Sequence, residues 1–462
     1  MLINYIYIWF VIFFISKALL KCYKLFNCCH QIQTLDMRNL LSIIFSSVLI
    51  TTALGKTLRL EDHVYEENIR SVQFYKKTGA FDEQTLFPSV HVDQSNLLHL
   101  EFDDLKSITE GYYFKIIHCN ADWTQSVLLE SEYLKDFIND YLITNYLLSF
   151  NTKVKYVHYN LRTPKVRLSG NYVLAVYRGS NQDDLILTRR FIAYENRVGI
   201  VPDLKVSIGV EERFTHQQID FGINYAAYQR VFIPQDEIKV VIRQNGRWDN
   251  AIYDLKPLYV RDNERFLDYH FFNLENNFKG GNEFRQFDCR RIRTNGINIE
   301  RIEFTGPENH VYLMQERSRN HRAYALYFDI NGRFIIGNNE IGGNLTDPDY
   351  VTVHFDIKPD EMPTGAVYVI GGFNDYVIDE KYKLNYDPDT ESYKCSTVLK
   401  QGYYNYMYAT KGYKQVKTDE TELEGSFFQT ENFYEIIVYH RPIGERSDFV
   451  IGYYSVKHNA PK

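Results

Sequence analysis

Reactive chemistry is what this chain has least of. Its 462 residues hold no Gly-x-x-x-x-Gly-Lys phosphate cradle, no Gly-x-Ser-x-Gly nucleophile elbow and no His-Glu-x-x-His pair. The common signatures of nucleotide, acyl-transfer and zinc-hydrolase chemistry are therefore missing. Cysteine is scarce too: Cys22, Cys28 and Cys29 sit near the start, leaving Cys119, Cys289 and Cys395 far apart. An odd, dispersed trio makes no disulfide framework, so isolated buried thiols are expected. His118 and Cys119 are adjacent, so on a strand they point to opposite faces and cannot share a metal. Positive charge is short: the chain carries −7, and residues 1–55 contribute +3, leaving about −10 for the remainder. Binding to a phosphate backbone, which is driven by Lys and Arg, is disfavoured by that balance. Long stretches at helical period are nearly absent, residues 131–141 being the best candidate, with Leu134, Phe137, Ile138 and Tyr141 able to share a face.

Long apolar runs are confined to the beginning. Residues 2–16 are uncharged and apolar, followed by Lys17, Lys21 and Lys24. Met37 and Arg38 then open a second export-type signal, with an apolar stretch over residues 40–54 and small residues at Ala53 and Gly55. Two such signals are redundant, so residues 1–36 are read as an upstream extension and 37–55 as the signal peptide, cleaved after Gly55. The competing reading is a membrane anchor, although the first run is shorter than the ~20 residues that span a bilayer.

What the chain does have is a repeat. Leu98, Leu100 and Phe102 precede Phe114-Lys-Ile-Ile-His-Cys-Asn-Ala-Asp-Trp123; Ile219, Phe221 and Ile223 precede Ile238-Lys-Val-Val-Ile-Arg-Gln-Asn-Gly-Arg-Trp248; Val351, Val353 and Phe355 precede Val367-Tyr-Val-Ile-Gly-Gly-Phe-Asn-Asp-Tyr376. The closing aromatics lie 125 and 128 positions apart, which is the size of one domain. Apart from Trp9, every tryptophan closes a copy. Alternating β-branched and aromatic residues between Gly, Asn, Asp and Pro predict strands throughout. The fold class expected is all-β: three tandem immunoglobulin-like or early-set sandwiches over residues 56–198, 199–340 and 341–462. The first and third units each end on a hairpin pattern, Tyr172 to Phe191 and Tyr434 to Tyr453; a less regular one, Val311 to Phe328, serves the second. Short connections at residues 195–203 and 337–349 predict domains that move little against one another.

Because the motif occurs three times, Trp123, Trp248, Phe373 and Tyr376 are assigned a shared structural role, with Gly246, Gly371 and Gly372 as turn residues needing backbone freedom. The acids of Asp347-Pro-Asp349 and of residues 387–391 lack EF-hand spacing and read as solvated turns. Asp103-Asp104 and Asp183-Asp184 are sequence neighbours and so cannot face each other across a glycosidic bond. No catalytic residue, metal ligand or cofactor is assigned, and the chain is read as a non-enzyme. Arg247, Trp248 and Lys279 are loop candidates for partner binding. The run Val369 to Tyr376 resembles glycogen-binding early-set modules, which leaves a glycan-binding alternative.

Several longer segments carry a second resemblance: Ile117-His-Cys-Asn-Ala-Asp-Trp-Thr124, Tyr146-Leu-Leu-Ser-Phe-Asn-Thr152, Ser169-Gly-Asn-Tyr-Val-Leu174, Gln244-Asn-Gly-Arg-Trp-Asp-Asn250, Gly280-Gly-Asn-Glu-Phe-Arg285 and Gly425-Ser-Phe-Phe-Gln-Thr-Glu-Asn432. Together these resemble the plug proteins of the type IX secretion system over residues 60–455. The resemblance implies a periplasmic protein at the inner face of the outer membrane. Such a protein seals a large β-barrel translocon until cargo displaces it, without a small-molecule substrate. Intact-mass measurement of the exported protein is expected to show a chain beginning at Lys56; a species retaining residues 1–36 contradicts the leader assignment.

Overall fold

Each copy of the repeat becomes two strands that face each other across a core. The structure, a computed structural model, describes residues 56–78, 82–136, 138–340, 344–412 and 418–460. The leader readings at 1–55 and Phe137 of the helical candidate lie outside them. In the first copy, Leu98–Asp104 and Tyr112–Cys119 belong to different sheets, and Leu98, Leu100 and Phe102 meet Phe114 and Ile116 in one apolar cluster. Ile219, Phe221 and Ile223 meet Ile238, Val240 and Ile242 in a second. Val351, Val353 and Phe355 meet Val367 and Val369 in a third. Period-two alternation puts one set of side chains inward on each strand, and packing two such faces together makes a sandwich.

The first core is contiguous. One sheet runs His63–Val64, Leu185–Tyr194, Gly170–Arg178, Tyr112–Cys119, Tyr141–Leu142, with Ser89–His91 added in parallel beside Leu185–Tyr194. The other runs Ile69–Lys76, Leu98–Asp104, Val157–Arg162, Asn145–Leu148. The hairpin expected at its end is present, Gly170–Arg178 pairing antiparallel with Leu185–Tyr194. The helical candidate reduces to a single turn, Glu130–Tyr133, after which Leu134 bridges Val166.

The second and third cores are not in tandem, and this corrects the expected boundary at 340/341. The hairpin assigned to close the third unit, Asn432–His440 with Phe449–His458, pairs instead with Ile238–Gln244, in register from Ile238 opposite His440 to Gln244 opposite Tyr434. Tyr434, Ile436, Val438 and Ile451 then pack in the second cluster. In exchange, Arg285–Asp288 pairs with Tyr403 to Tyr406, and Asn309–Leu313 lies parallel to Tyr350–Lys358, so these segments join the third core. Tyr324 to Phe328 forms no strand. The third core is thus inserted between two parts of the second. The physical reason is that alternation marks which side chains leave water but not which partner receives them.

The supposed linkers are structural. Gly199–Val206 is an edge strand on His216–Asn224, and the backbone N–H groups of Glu195 and Arg197 donate to Val450 and Ile451 of the C-terminal hairpin. Asp347 and Asp349 are buried rather than solvated; Asp349 accepts from the backbone N–H groups of Lys153 and Val154 in the first core, at 2.7 and 3.1 Å. Cys119, Cys289 and Cys395 are free buried thiols, each pushed up to about 12 by burial. Residues 56–462 form one unit by contact.

Truncation after Glu431 is expected to unfold the second core as well as remove the hairpin, since two of the three strands of one of its sheets go with it. Thermal unfolding and amide exchange of the truncated chain should show Ile219 to Ile242 unprotected; protection there equal to that of the full chain contradicts the nested assignment.

Candidate functional site

The three closing turns converge. Trp123 and Trp248 meet edge to face, with ring centroids 4.8 Å apart. The Arg190 guanidinium lies 4.3 Å above Trp123 and Arg243 lies 4.3 Å above Trp248, a cation–π geometry favoured where water is excluded. Next along the chain, Arg247 stands 4.2 Å over Tyr376, while Phe373 packs against the third core. Left-handed backbone builds these turns, at Trp123, Asn245, Asp375 and Tyr376 as well as at Gly246. Gly246 has φ +68°, and a Cβ there would lie 2.3 Å from the Phe87 ring. Gly371 is in extended backbone; glycine is required there and at Gly372 by close backbone approach, to Asn405 and Gly332 respectively.

Trp123, Trp248 and Tyr376 stand at a junction between cores, while Phe373 packs within the third core. The surface role expected for Arg247 does not fit its position. Its side chain is buried and paired with Asp249 at 2.5 Å and with Glu420. Trp248 is half-buried at the same junction. Lys279 is exposed, its ammonium 3.6 Å from Asp419, on a strand far from the tryptophan pair in sequence.

Charged groups that sequence reasoning passed over hold the junction. Arg243 and Glu435 are both fully buried and paired at 2.6 Å, with Ser89 and Tyr453 donating to the same carboxylate. Their signal was a lone charge inside an apolar strand, as in Tyr434-Glu-Ile-Ile-Val-Tyr439, a placement tolerated only when the charge is paired. A second buried set joins the first and third cores: Asp103 accepts from Lys400 at 2.6 Å and Tyr350 at 2.6 Å, and lies 2.8 Å from His158 Nδ1. It borders a cavity of about 480 Å³. Burial pulls the Lys400 ammonium down. Burial pushes Asp103 up, but Lys400 and His158 outweigh it and hold its carboxyl below the usual range. Lys400 and Tyr350 reach Asp103 across the core boundary while His158 holds it from its own side, which makes the set a clamp.

One group has metal-ligand character, Asp203, Asp220 and His270. The Lys205 ammonium sits 2.5 Å from Asp220 and 3.3 Å from Asp203, so those carboxylates already have their cation.

The exposed surface offers a different feature. Asn145–Leu148 is the edge strand of its sheet and is exposed at all four residues. Tyr146, Leu147 and Leu148 are joined by Phe150, 65% exposed, whose N–H donates to Thr346. Edge strands are ordinarily short, charged or covered because their free backbone groups invite pairing. This one is short but apolar.

Comparison with known proteins places these features. Residues 69–195 match the family model described as the type 9 secretion system plug protein first domain. The chain belongs to the type IX secretion system plug family. It also matches the crystal structure of a hypothetical protein from Parabacteroides merdae, with TM-score 0.80 and 31% identity, over 87% of this chain and all of that one. Curated proteins give no match. Membership ties this plug-family chain to type IX secretion, and the family is not a known enzyme family. The matched segment is the contiguous first core from Ile69 onward, including the exposed edge strand and Trp123.

Asp103→Asn is expected to cost about 3–5 kcal/mol, because Lys400 loses its buried partner. The sign with pH follows from the depressed Asp103 pKa. The carboxylate stabilises fully above its ordinary value of 3.8, and this is lost as pH falls through the lower folded value. Acid unfolding curves of the two proteins should therefore converge below pH 4; a constant gap would contradict the clamp.

Proposed function

We propose that this protein is a non-enzymatic periplasmic plug, bound at the inner face of the outer membrane to the mouth of the type IX β-barrel translocon, sealing its pore until cargo displaces it. The observation that carries this reading is the plug-family first domain, joined to the third core by the buried Asp103–Lys400 pair and to the second by the Ser89 hydroxyl on Glu435 and a common apolar cluster, in place of flexible linkers. A stopper has to keep its shape, and nested cores support that.

The exposed edge at Asn145–Leu148 with Phe150 is the surface we assign to the barrel. It combines unpaired backbone groups with apolar side chains, the combination that strand addition uses for affinity and selectivity. Lys279 remains a second contact under this reading. The glycan-binding alternative relied on Phe373 and Tyr376 as exposed sugar platforms; Phe373 packs on the third core and Tyr376 lies beneath Arg247, so the motif presents no open ring face.

Affinity purification of the tagged full chain from membranes is expected to recover a large outer-membrane barrel. Leu148→Asp should reduce that recovery at least about tenfold while changing stability by about 0.5 kcal/mol or less, as for other surface positions. Recovery without any barrel, or an outer membrane that stays impermeable after deletion in a strain possessing the barrel, contradicts the proposal.

A further inference from the structure

A cavity of about 60 Å³ lies where the three cores meet, lined by Arg189, Arg190, Arg243 and Arg333 together with Asp62 and Asp375. That exceeds the ~10–15 Å³ one water needs. The arginines come from all three cores. Arg189 is paired with Asp375 at 3.1 Å and Arg243 with Glu435. Arg190 and Arg333 have no carboxylate within ion-pair distance among the described residues. Asp62 accepts from the backbone N–H of Arg190 rather than from a guanidinium. Four cations and two acids thus line the cavity, and Glu435, outside the lining, pairs with Arg243.

The two unpaired guanidiniums are also under-used as donors. Each has five N–H groups. Arg190 donates its Nε–H to Leu60 at 2.8 Å and lies against the Trp123 face. Arg333 donates one Nη2–H to Leu86 and lies 4.9 Å from the Phe87 ring. No other side-chain hydrogen bond engages either among the described residues. Desolvation by burial lowers both pKa values, the direction expected when a charge sits away from water without a counter-ion. A planar, donor-rich fork in a partly dry cavity matches tetrahedral oxyanions better than a point charge does.

We propose that this junction binds one small oxyanion of the phosphate or sulfate class, held by Arg190 and Arg333, and that the anion completes the packing of the three cores. The inference is independent of the plug reading. Calorimetric titration of the full chain with sodium phosphate, and separately with sodium sulfate, is to be set against sodium chloride at equal ionic strength. One saturable site per chain is expected for at least one of the two oxyanions, with a rise in the thermal midpoint. At a concentration 100-fold above Kd the unfolding constant should fall about 100-fold. Arg333→Gln should weaken binding at least about tenfold, and Arg333→Lys should not restore it in full. If neither oxyanion gives saturable heat or a midpoint above the chloride control, the wild-type result alone overturns the proposal. Undiminished binding by folded Arg333→Gln overturns it equally.

Discussion

Pairing of Ile238–Gln244 with Asn432–His440 is the interaction on which the rest of the molecule depends. It joins segments 190 positions apart in the chain and in doing so encloses the whole third core. Closing a loop that long instead of a tight hairpin of about 12 residues is roughly four doublings, or ~2–3 kcal/mol of extra chain entropy. The seam itself buries Val240, Ile242, Ile436 and Val438 almost completely, and each such side chain contributes roughly 1.5–3 kcal/mol. Apolar burial outweighs the long closure. The consequence is kinetic: the second core cannot be completed until the last strands exist, the kind of non-local contact that slows folding.

Local chemistry made the fold legible up to this pairing. The three repeat copies, with their inward residues and closing aromatics, were readable because alternation and turn residues are properties of a few consecutive positions. The first core was readable as a unit because its strands are neighbours in sequence. The exchange between the second and third cores was not. Tyr434 to Tyr439 has the same pattern whether it lies on its own domain or on another, and the Gly- and Asn-rich stretch at 337–349 resembles a linker although Asn338, Asp347 and Asp349 are buried. The junction was half legible: Trp123, Trp248 and Tyr376 stood out as matched positions. That they would touch one another's surroundings through Arg190, Arg243 and Arg247 required three-dimensional placement. Arg247 illustrates the hazard of reading a charged residue in a Gly-containing turn as surface, since Asp249 and Glu420 neutralise it inside.

The two seams of the first core differ in what holds them. Toward the second core, Ala121 and Ile192 share an apolar cluster with Val241, Ile437, Tyr439 and Val450, and Trp248 packs with Trp123, Val173 and Leu185. There the buried Arg243–Glu435 pair fixes geometry while apolar area supplies cohesion. Toward the third core the principal contacts are polar: Asp103 with Lys400 and Tyr350, Asp349 with the 153–154 backbone, and Arg189 with Asp375. Among the described residues no apolar cluster spans that seam, and the larger cavity borders it.

Charges released from such a seam regain water, which offsets most of what their pairing contributed, whereas apolar surface released from the other seam does not. The first and second cores therefore form the cohesive pair, and the third core, though enclosed by the second in the chain, meets the first along the surface that separates at lower cost. The exposed edge strand Asn145–Leu148 pairs with Val157–Arg162, the strand that carries His158, and Tyr156, just before it, donates to Pro348 within the 344–349 segment. A load applied at the proposed partner surface is thus transmitted first to the polar seam. Under the proposed plug reading, that arrangement places the compliant contact next to the proposed docking edge and keeps the apolar seam away from it.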